Sequence, residues 1–217
     1  NSDVDKVLET VYVPDGKVDF DATRNLPEVE SLVKRLHEII IEDERKISNG
    51  GADKPVSIGI ISPFRAQVEQ LKSSVSMVLS DHMVKKHQIE IGTAHTFQGD
   101  ERDIILISWA FANNSFVQSL TFLQKPNLFN VAITRARFKM INFISKNPKE
   151  LSDGLFRSYL NYVQEYEIRQ KAILNKEIEE NFYKNNFEKE VAATIRSLGH
   201  EVQAGVDIAG FSVDLLI

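Results

Sequence analysis

The sequence predicts an α/β domain with a doubly wound, mainly parallel sheet, followed by a C-terminal α+β extension. Short apolar runs alternate with segments whose apolar residues recur at helical spacing, which is typical of strand and helix units. The runs are continuously apolar, as expected of parallel strands that helices cover on both faces. Polar clusters follow several of the runs, where doubly wound sheets bind their ligands. These three observations together predict the fold class.

The first strand and the first helix have clear local signals. The β-rich residues 7–13 end at a Pro-Asp-Gly turn, which predicts a strand and then a reversal. Asn25 can cap a helix, and Glu28 falls three residues after it, in the spacing of a capping box. Apolar positions then recur at helical spacing to about residue 47, so we expect a helix there.

The same alternation continues along the chain. The further predicted strands are residues 56–61, 89–92, 104–109 and 138–144, and the further predicted helices are residues 64–79 and 127–136. Residues 155–182 and 187–198 are predicted to be helical, and strands broken by Gly205 and Gly210 come after them. We therefore expect a domain at residues 1–153, a helical linker at 154–186, where the apolar residues become sparse, and a third segment at 187–217.

Composition excludes few functions. The chain has 217 residues, of which 42% are hydrophobic and 26% charged, as in an ordinary globular protein. Its net charge of -5 argues mildly against a general polyanion binder but not against a local basic groove. The sequence has no cysteine and no apolar run long enough to span a bilayer. We expect a cytoplasmic protein that does not enter a membrane.

Three polar clusters hold the candidate functional residues. They are SPFRAQ at 62–67, GTAHTFQGDERD at 92–103 and NVAITRAR at 130–137, the last on the predicted helix before the final strand. Because ligands bind beyond the carboxyl ends of parallel strands, we expect the three clusters to converge on one edge of the sheet.

These strings resemble motifs IV, V and VI of superfamily 1 helicases. The resemblance covers roughly residues 7–147 and is strongest to the branch typified by the helicase of nonsense-mediated mRNA decay and by bacterial helicase-nuclease fusions. It implies that the chain holds the second RecA-like motor domain of an ATP-dependent helicase.

The resemblance also implies a role for several residues in ATP hydrolysis. Arg135 is the candidate arginine finger, because phosphoryl transfer needs a cation at the charge that develops in the transition state. Arg65 is a second candidate for the γ-phosphate. Gln98, Gly99 and Glu101, with Arg135, would lie against the nucleotide. A structural alternative is that the arginines at 135 and 137 only neutralise the carboxyl end of a helix.

The start of the second cluster is the candidate nucleic-acid contact. The resemblance implies that Ser62, Thr93, His95 and Thr96 bind single-stranded nucleic acid. We expect DNA rather than RNA as the partner, although contacts to phosphates do not by themselves distinguish the two. Short donors at a strand end suit backbone phosphates, which require positioning rather than base readout. A lone histidine such as His95 is more often a hydrogen-bonded structural residue than a functional one, and only the motif context favours a functional role. The polar segment would thus contact the single strand near its start and the nucleotide near its end.

The motif that defines a phosphate-binding loop is missing from the sequence. G-x-x-x-x-G-K-[ST] does not occur, and neither does a plausible acidic pair for magnesium in the first half. ATP and Mg²⁺ are therefore expected to bind mainly to an N-terminal RecA-like domain of the same polypeptide. This chain alone is expected to be inactive.

The last residues resemble the opening of restriction-endonuclease-like domains of the very-short-patch-repair type. Glu188 and Asp214 match the first metal-binding positions of that pattern, so they are candidate metal ligands. A helix and hairpin that close the motor domain would be the structural alternative.

Two other functions compete with the motor. The main alternative is a non-catalytic α/β module that binds nucleic acid or protein. A small-molecule α/β enzyme fits poorly, because the sequence contains no nucleophile elbow or catalytic dyad.

Overall fold

A computed structural model describes residues 7–19, 23–182, 186–200, 202–208 and 211–216 of the chain. The chain divides into two compact units, Asn1–Gln164 and Glu165–Ile217. Within the described part of the first unit, five parallel strands form one sheet in the order β1-β5-β4-β2-β3. These strands are β1 (Leu8–Tyr12), β2 (Ile58–Ile61), β3 (Glu90–Gly92), β4 (Arg102–Ser108) and β5 (Ala136–Ile144).

Helices cover both faces of this sheet. The helices of the chain up to residue 182 are α1 (Leu26–Ser48), α2 (Arg65–Val78), α3 (Asp81–Lys86), α4 (Val117–Leu123), α5 (Pro126–Ile133) and α6 (Leu155–Phe182). On one face, Leu36 of α1 and Leu71 of α2 pack in the same buried cluster as Ile60. On the other, Phe129 of α5 and Phe156 of α6 pack with Ile107. The predicted doubly wound α/β fold is confirmed.

The start of α1 has the predicted capping pattern. The Asn25 side chain accepts the backbone N–H of Glu28 at 3.3 Å, and a proline occupies the first turn. Helix caps of this type stabilise proteins by about 1 kcal/mol each. The local signals in the sequence were sufficient to locate this helix boundary.

The end of α5 differs from the prediction. The helix ends at Ile133 and not at Ala136, because β5 begins at Ala136 and pairs with Arg102 at the start of β4. The backbone N–H of Arg102 donates to the carbonyl of Arg135 at 3.0 Å, so the sheet ladder competes successfully with one more helical turn. The arginines at 135 and 137 therefore lie outside the helix.

Two short helices were not predicted. The helix α3 has 6 residues and α4 has 7. Two turns or fewer give too few apolar positions to reveal a helical period. The Ser80 side chain nevertheless caps α3, by accepting the backbone N–H of Met83.

The direction of the strands separates the polar clusters into two groups. Ile61 lies beside Gly92 and Ile107 in the sheet, so the residues after β2 and β3 lie at its carboxyl edge. Arg135 precedes β5, whose first residue pairs with Arg102, so Arg135 lies at the amino edge. The prediction that all three clusters converge on one edge is wrong, because the residues before a set of parallel strands and the residues after them lie at opposite edges.

The second unit contains the rest of α6, the helix α7 (Asn186–Ser197) and an antiparallel hairpin of β6 (Gln203–Ile208) and β7 (Phe211–Leu216). The predicted helix of this segment is confirmed, but the predicted break at Gly205 is wrong, because β6 continues through Gly205 and pairs with β7 on both sides of it. Gly210 and Ile217 lie outside the described residues, as do the side chains of Glu188 and Asp214. In the described ranges, no helix is both long enough and apolar enough to cross a bilayer.

Truncation of Leu36 tests the packing of α1 on the sheet. Leu36 is fully buried, so Leu36→Ala is expected to lower the free energy of unfolding by about 2–5 kcal/mol. Ile41→Ala is the matched control, because Ile41 on the same helix is 55% exposed and should change stability by less than about 1 kcal/mol. Urea unfolding measures both. Equal losses in the two variants would contradict the packing of α1 through Leu36.

Candidate functional site

Arg135 stands at the amino edge of the sheet without a carboxylate partner in the described part of the chain. Its Nη2 donates to the Thr134 hydroxyl at 2.7 Å, and its Nε is buried with no hydrogen-bond partner there. A buried donor without a partner is unfavourable unless something else accepts from it. Arg24 and Arg35 also have a buried Nε without a partner, but each of them pairs with a carboxylate, so Arg135 differs in having a guanidinium that can still pair with an anionic group.

The neighbouring arginines differ from Arg135 in this respect. Arg102 pairs with Asp100 at 2.6 Å, and Arg137 lies 3.5 Å from Glu101 and 3.7 Å from Asp103. The hydrogen bond from the Arg102 guanidinium is the largest of the effects that lower the pKa of Asp100. These carboxylates compensate the other cations of the edge.

Asp103 also anchors the start of β4. Burial acts to raise the pKa of Asp103, but the N–H and O–H of Ser57, at 2.9 and 2.8 Å from Oδ2, outweigh it and lower the pKa. Asp103 thus stays ionised and ties β4 to the residue before β2. This contact keeps the amino edge in place beside Arg135.

The segment of residues 93–101 runs from the carboxyl edge of the sheet to the amino edge. It leaves β3 at the carboxyl edge and enters β4 at the amino edge without forming a helix. Phe97 anchors it in the core and is fully buried, and a Cβ at Gly59 would lie 2.8 Å from its ring. Gly59 leaves the space that lets the segment cross the sheet.

The end of this segment carries the predicted nucleotide contacts. Gln98, Gly99 and Glu101 are all exposed. Gly99 has φ +84 with nothing within 4 Å of an added Cβ, so its backbone conformation is the reason that glycine is favoured there. Glu101 lies on the same edge as Arg135, in contact with Arg137. Glu101 and Arg135 each directly precede a strand, and the first residues of these two strands pair with each other.

The carboxyl edge contains an open groove of about 1010 Å³. Three of the predicted functional residues line it, namely Arg65, Thr93 and His95. Its lining is mainly apolar, with cationic side chains among the aromatic ones. The complete lining is Thr23, Pro63, Phe64, Arg65, Ala66, Thr93, His95, Phe122, Lys125, Pro126 and Asn127. The last four were not identified from the sequence, because they lie at the end of α4 and the start of α5 and not after a strand, and Thr23 was not identified either.

Two predicted contacts of this edge have local structural roles. Ser62 is fully buried, its N–H donates to Gly92 at 3.1 Å, and its hydroxyl accepts the N–H of Phe64 at 3.4 Å. It therefore holds the start of α2 and does not face the groove. Thr96 is exposed but lies outside the groove lining, and its side chain fills the space beside Gly92.

Arg65 and Arg135 start from opposite edges of the sheet. Arg65 comes after the carboxyl end of β2, whereas Arg135 precedes the amino end of β5. The intervening strand β4 has 7 residues, which is roughly 20 Å at about 3.3 Å per residue. Arg65 lines the groove, and its predicted role at the γ-phosphate remains a prediction.

Glu28 organises a buried hydrogen-bond network at the carboxyl ends of β4 and β5. Its Oε1 accepts from the Asn25 amide at 3.1 Å and the Ser145 hydroxyl at 2.7 Å, and its Oε2 accepts from the Ser108 hydroxyl at 2.7 Å and the Ala110 N–H at 2.8 Å. Burial raises the pKa of Glu28 from 4.5 to about 7, although these serine and backbone donors act to lower it.

Gln67 extends this network to α2. Its Oε1 accepts the N–H of Asn25 at 2.7 Å, and its Nε2 donates to the Asn25 carbonyl and to the Ser108 hydroxyl. The amide of Asn25 also donates to the Ser145 hydroxyl at 2.8 Å. The network thereby connects the starts of α1 and α2 with the carboxyl ends of β4 and β5.

The described side chains include no cluster of three or more His, Asp or Glu residues that could hold a metal ion. Glu188 and Asp214 are outside that set, because their side chains are not among the described ones. Their predicted metal binding remains a prediction.

The fold and its two edges define a RecA-like α/β domain. The sequence profile of the AAA domain family matches residues 12–147, and the chain belongs to that family. The match ends before Glu188 and Asp214, so it does not support the predicted nuclease-like extension.

Individual relatives are helicases or regulators of nonsense transcripts. The chain is 37% identical over 123 residues to the regulator of nonsense transcripts 1 homolog of Drosophila melanogaster, covering 56% of this chain and 10% of that protein. It is 31% identical over 151 residues to the helicase MOV-10 of Gallus gallus, covering 65% of this chain and 15% of that protein. The chain thus spans only a small part of its relatives' length, and the resemblance to superfamily 1 helicases is confirmed for the domain.

The pH dependence of stability tests the Glu28 network. Because the pKa of Glu28 is raised in the folded chain, the folded state binds more protons than the unfolded state between pH 4.5 and about 7. The stabilisation that comes from protonated Glu28 is present below pH 4.5 and is lost as the pH rises to about 7. One pKa unit corresponds to about 1.4 kcal/mol, so the total loss of stability is roughly 3 kcal/mol.

Urea unfolding between about pH 5 and pH 8 measures this loss. Glu28→Gln removes the titrating group, so its stability should vary less across this range than that of the wild type. The same slope in the wild type and Glu28→Gln would contradict the role given to Glu28.

Proposed function

We propose that this chain is the second RecA-like motor domain of an ATP-dependent helicase of superfamily 1. The amino edge supplies Arg135 to a nucleotide that an N-terminal RecA-like domain of the same polypeptide binds. The carboxyl edge binds single-stranded nucleic acid. The observation that carries the proposal is the uncompensated Arg135 guanidinium beside an edge whose other arginines are paired.

Phosphoryl transfer explains why an unpaired arginine is useful there. Negative charge spreads over the oxygens of the transferred phosphoryl group, and a cation placed at that charge lowers the barrier. An arginine already paired with a carboxylate would have to break that pair first. Arg135 is available without this cost, whereas Arg137 is not.

The residues around Arg135 fit a nucleotide contact. Gln98 and Glu101 present exposed polar side chains on the segment that ends at this edge, and Gly99 leaves its backbone open to a ligand. Mg²⁺, when bound with ATP, would neutralise phosphate charge, and its ligands are assigned to the N-terminal domain. In the described residues of this chain, Arg135 is the group that fits the phosphate end of the nucleotide.

The groove at the other edge fits a single strand. Arg65 provides a cation, and Thr93 and His95 provide short hydrogen-bonding groups along the same wall. Such contacts position a phosphate backbone without selecting a base sequence. We therefore assign the groove to single-stranded DNA or RNA.

Residues 93–101 would couple the two edges. Thr93 and His95 lie in the groove, and Glu101 lies near Arg135, with the buried ring of Phe97 between them. A change in the nucleotide contact at one end of so short a segment would shift the contact with the single-stranded nucleic acid at the other end. This gives a physical route by which ATP turnover could move the bound strand.

Loss of Arg135 tests the motor assignment. In the full-length protein, Arg135→Ala is expected to reduce the steady-state ATPase rate by a factor of about 10³ to 10⁵. Arg137→Ala, two residues away, loses only its pairing with Glu101 and Asp103 and should reduce the rate by less than about tenfold. Circular dichroism should show that both variants are folded.

The competing function, a non-catalytic binding module, predicts different results. In that case Arg135→Ala would leave any ATPase rate unchanged, and the coding sequence upstream of Asn1 would contain no phosphate-binding loop. Retention of full turnover by Arg135→Ala would refute the arginine-finger assignment.

A further inference from the structure

Two phenylalanine rings and a lysine form a cluster inside the groove at the carboxyl edge. The ring centroids of Phe64 and Phe122 lie 5.7 Å apart, and the ring planes are inclined by 35°. The ammonium group of Lys125 lies 5.1 Å from the centre of the Phe122 ring. All three residues line the groove that also contains Arg65 and His95.

Core packing does not explain the position of Phe122. Leu123, the next residue, is fully buried in the hydrophobic core, whereas Phe122 is half-buried and outside that core. Phe64 differs, because it packs against the core and its ring contacts the ring of Phe122. The Phe122 ring therefore remains available to a ligand in the groove.

An aromatic ring beside cations indicates a ligand that has both a flat ring and negative charge. Lys125 and Arg65 can each bind a phosphate, but neither needs an aromatic ring to do so. Nucleobases stack on aromatic side chains irrespective of their identity, because every base has a π face. A groove that carries both groups fits a strand whose bases and phosphates are both bound.

We propose that Phe122, supported by Phe64, is a base-stacking platform for single-stranded nucleic acid. This rests on the proposed function of the groove and adds that the bases contribute to affinity as well as the phosphates. Lys125 occupies the face of the ring in the free chain through a cation–π contact. On binding, Lys125 turns to a phosphate and a base takes its place on the ring.

Abasic oligonucleotides separate the base contribution from the phosphate contribution. Fluorescence anisotropy at low salt would compare the affinity of this chain for a labelled oligothymidylate of about 15 nucleotides with that for an abasic oligonucleotide of the same length. The base-containing strand should bind at least about fivefold more tightly, which corresponds to the lower end of measured base–aromatic stacking.

Substitutions at position 122 then assign this difference to the ring. Phe122→Leu keeps an apolar side chain of similar size and should abolish the preference for the base-containing strand without weakening abasic binding. Phe122→Trp should retain the preference. Phe116→Leu is the matched control, because Phe116 is 53% exposed at the start of the same helix but does not line the groove.

Lys125→Ala tests the phosphate half of the proposal. It should weaken both oligonucleotides and reduce the slope of log affinity against log salt by about 0.7 for the lost phosphate contact. Unchanged slopes would overturn the role of Lys125.

The outcomes distinguish this inference from the proposed function. If base-containing and abasic strands bind equally, or if Phe122→Leu weakens both to the same extent, the stacking platform is refuted while phosphate binding in the groove stands. If neither strand binds, the assignment of the groove to nucleic acid fails and the platform fails with it. A preference that is lost only in Phe122→Leu supports the platform.

Discussion

The buried carboxyl group of Glu28 is the contact on which the carboxyl edge depends. It accepts hydrogen bonds from an asparagine amide, two serine hydroxyls and a backbone N–H that belong to three different parts of the chain. A fully buried acid is unfavourable unless such donors surround it, so the elements that supply them must meet in one arrangement. Glu28 thereby fixes the start of α1 against the ends of β4 and β5, and Gln67 attaches α2 to the same point.

This attachment positions the groove. The helix α2 carries Arg65 in its first turn, only two residues before Gln67, so the network determines where the Arg65 backbone lies. On the opposite edge, Asp103 performs a comparable task by tying the start of β4 to Ser57. At each edge, a buried acidic residue thus fixes the positions of the neighbouring strands, and the exposed groups nearby can contact ligands.

The parallel sheet imposes the separation between the two proposed sites. Residues after a strand and residues before the next strand lie about one strand length apart, so the backbones of Arg65 and Arg135 are at opposite edges. A segment that leaves one strand and enters another must cross the whole sheet. Residues 93–101 cross it without a helix, because Phe97 is buried above Gly59. The proximity of the proposed nucleotide and nucleic-acid contacts along the chain is therefore a consequence of topology.

Local sequence signals determined the strands, the longer helices, the cap at Asn25 and the identity of the polar clusters, because periodicity and capping depend on neighbours a few residues apart. The short α3 and α4 were missed, and α5 was extended too far, because pairing with Arg102 decides where β5 begins. Only the tertiary structure decided which edge each cluster occupies, that Ser62 is buried and that Arg135 lacks a carboxylate among the described residues. The contact between Phe64 and Phe122 likewise joins residues that are far apart in the sequence, which no local pattern specifies.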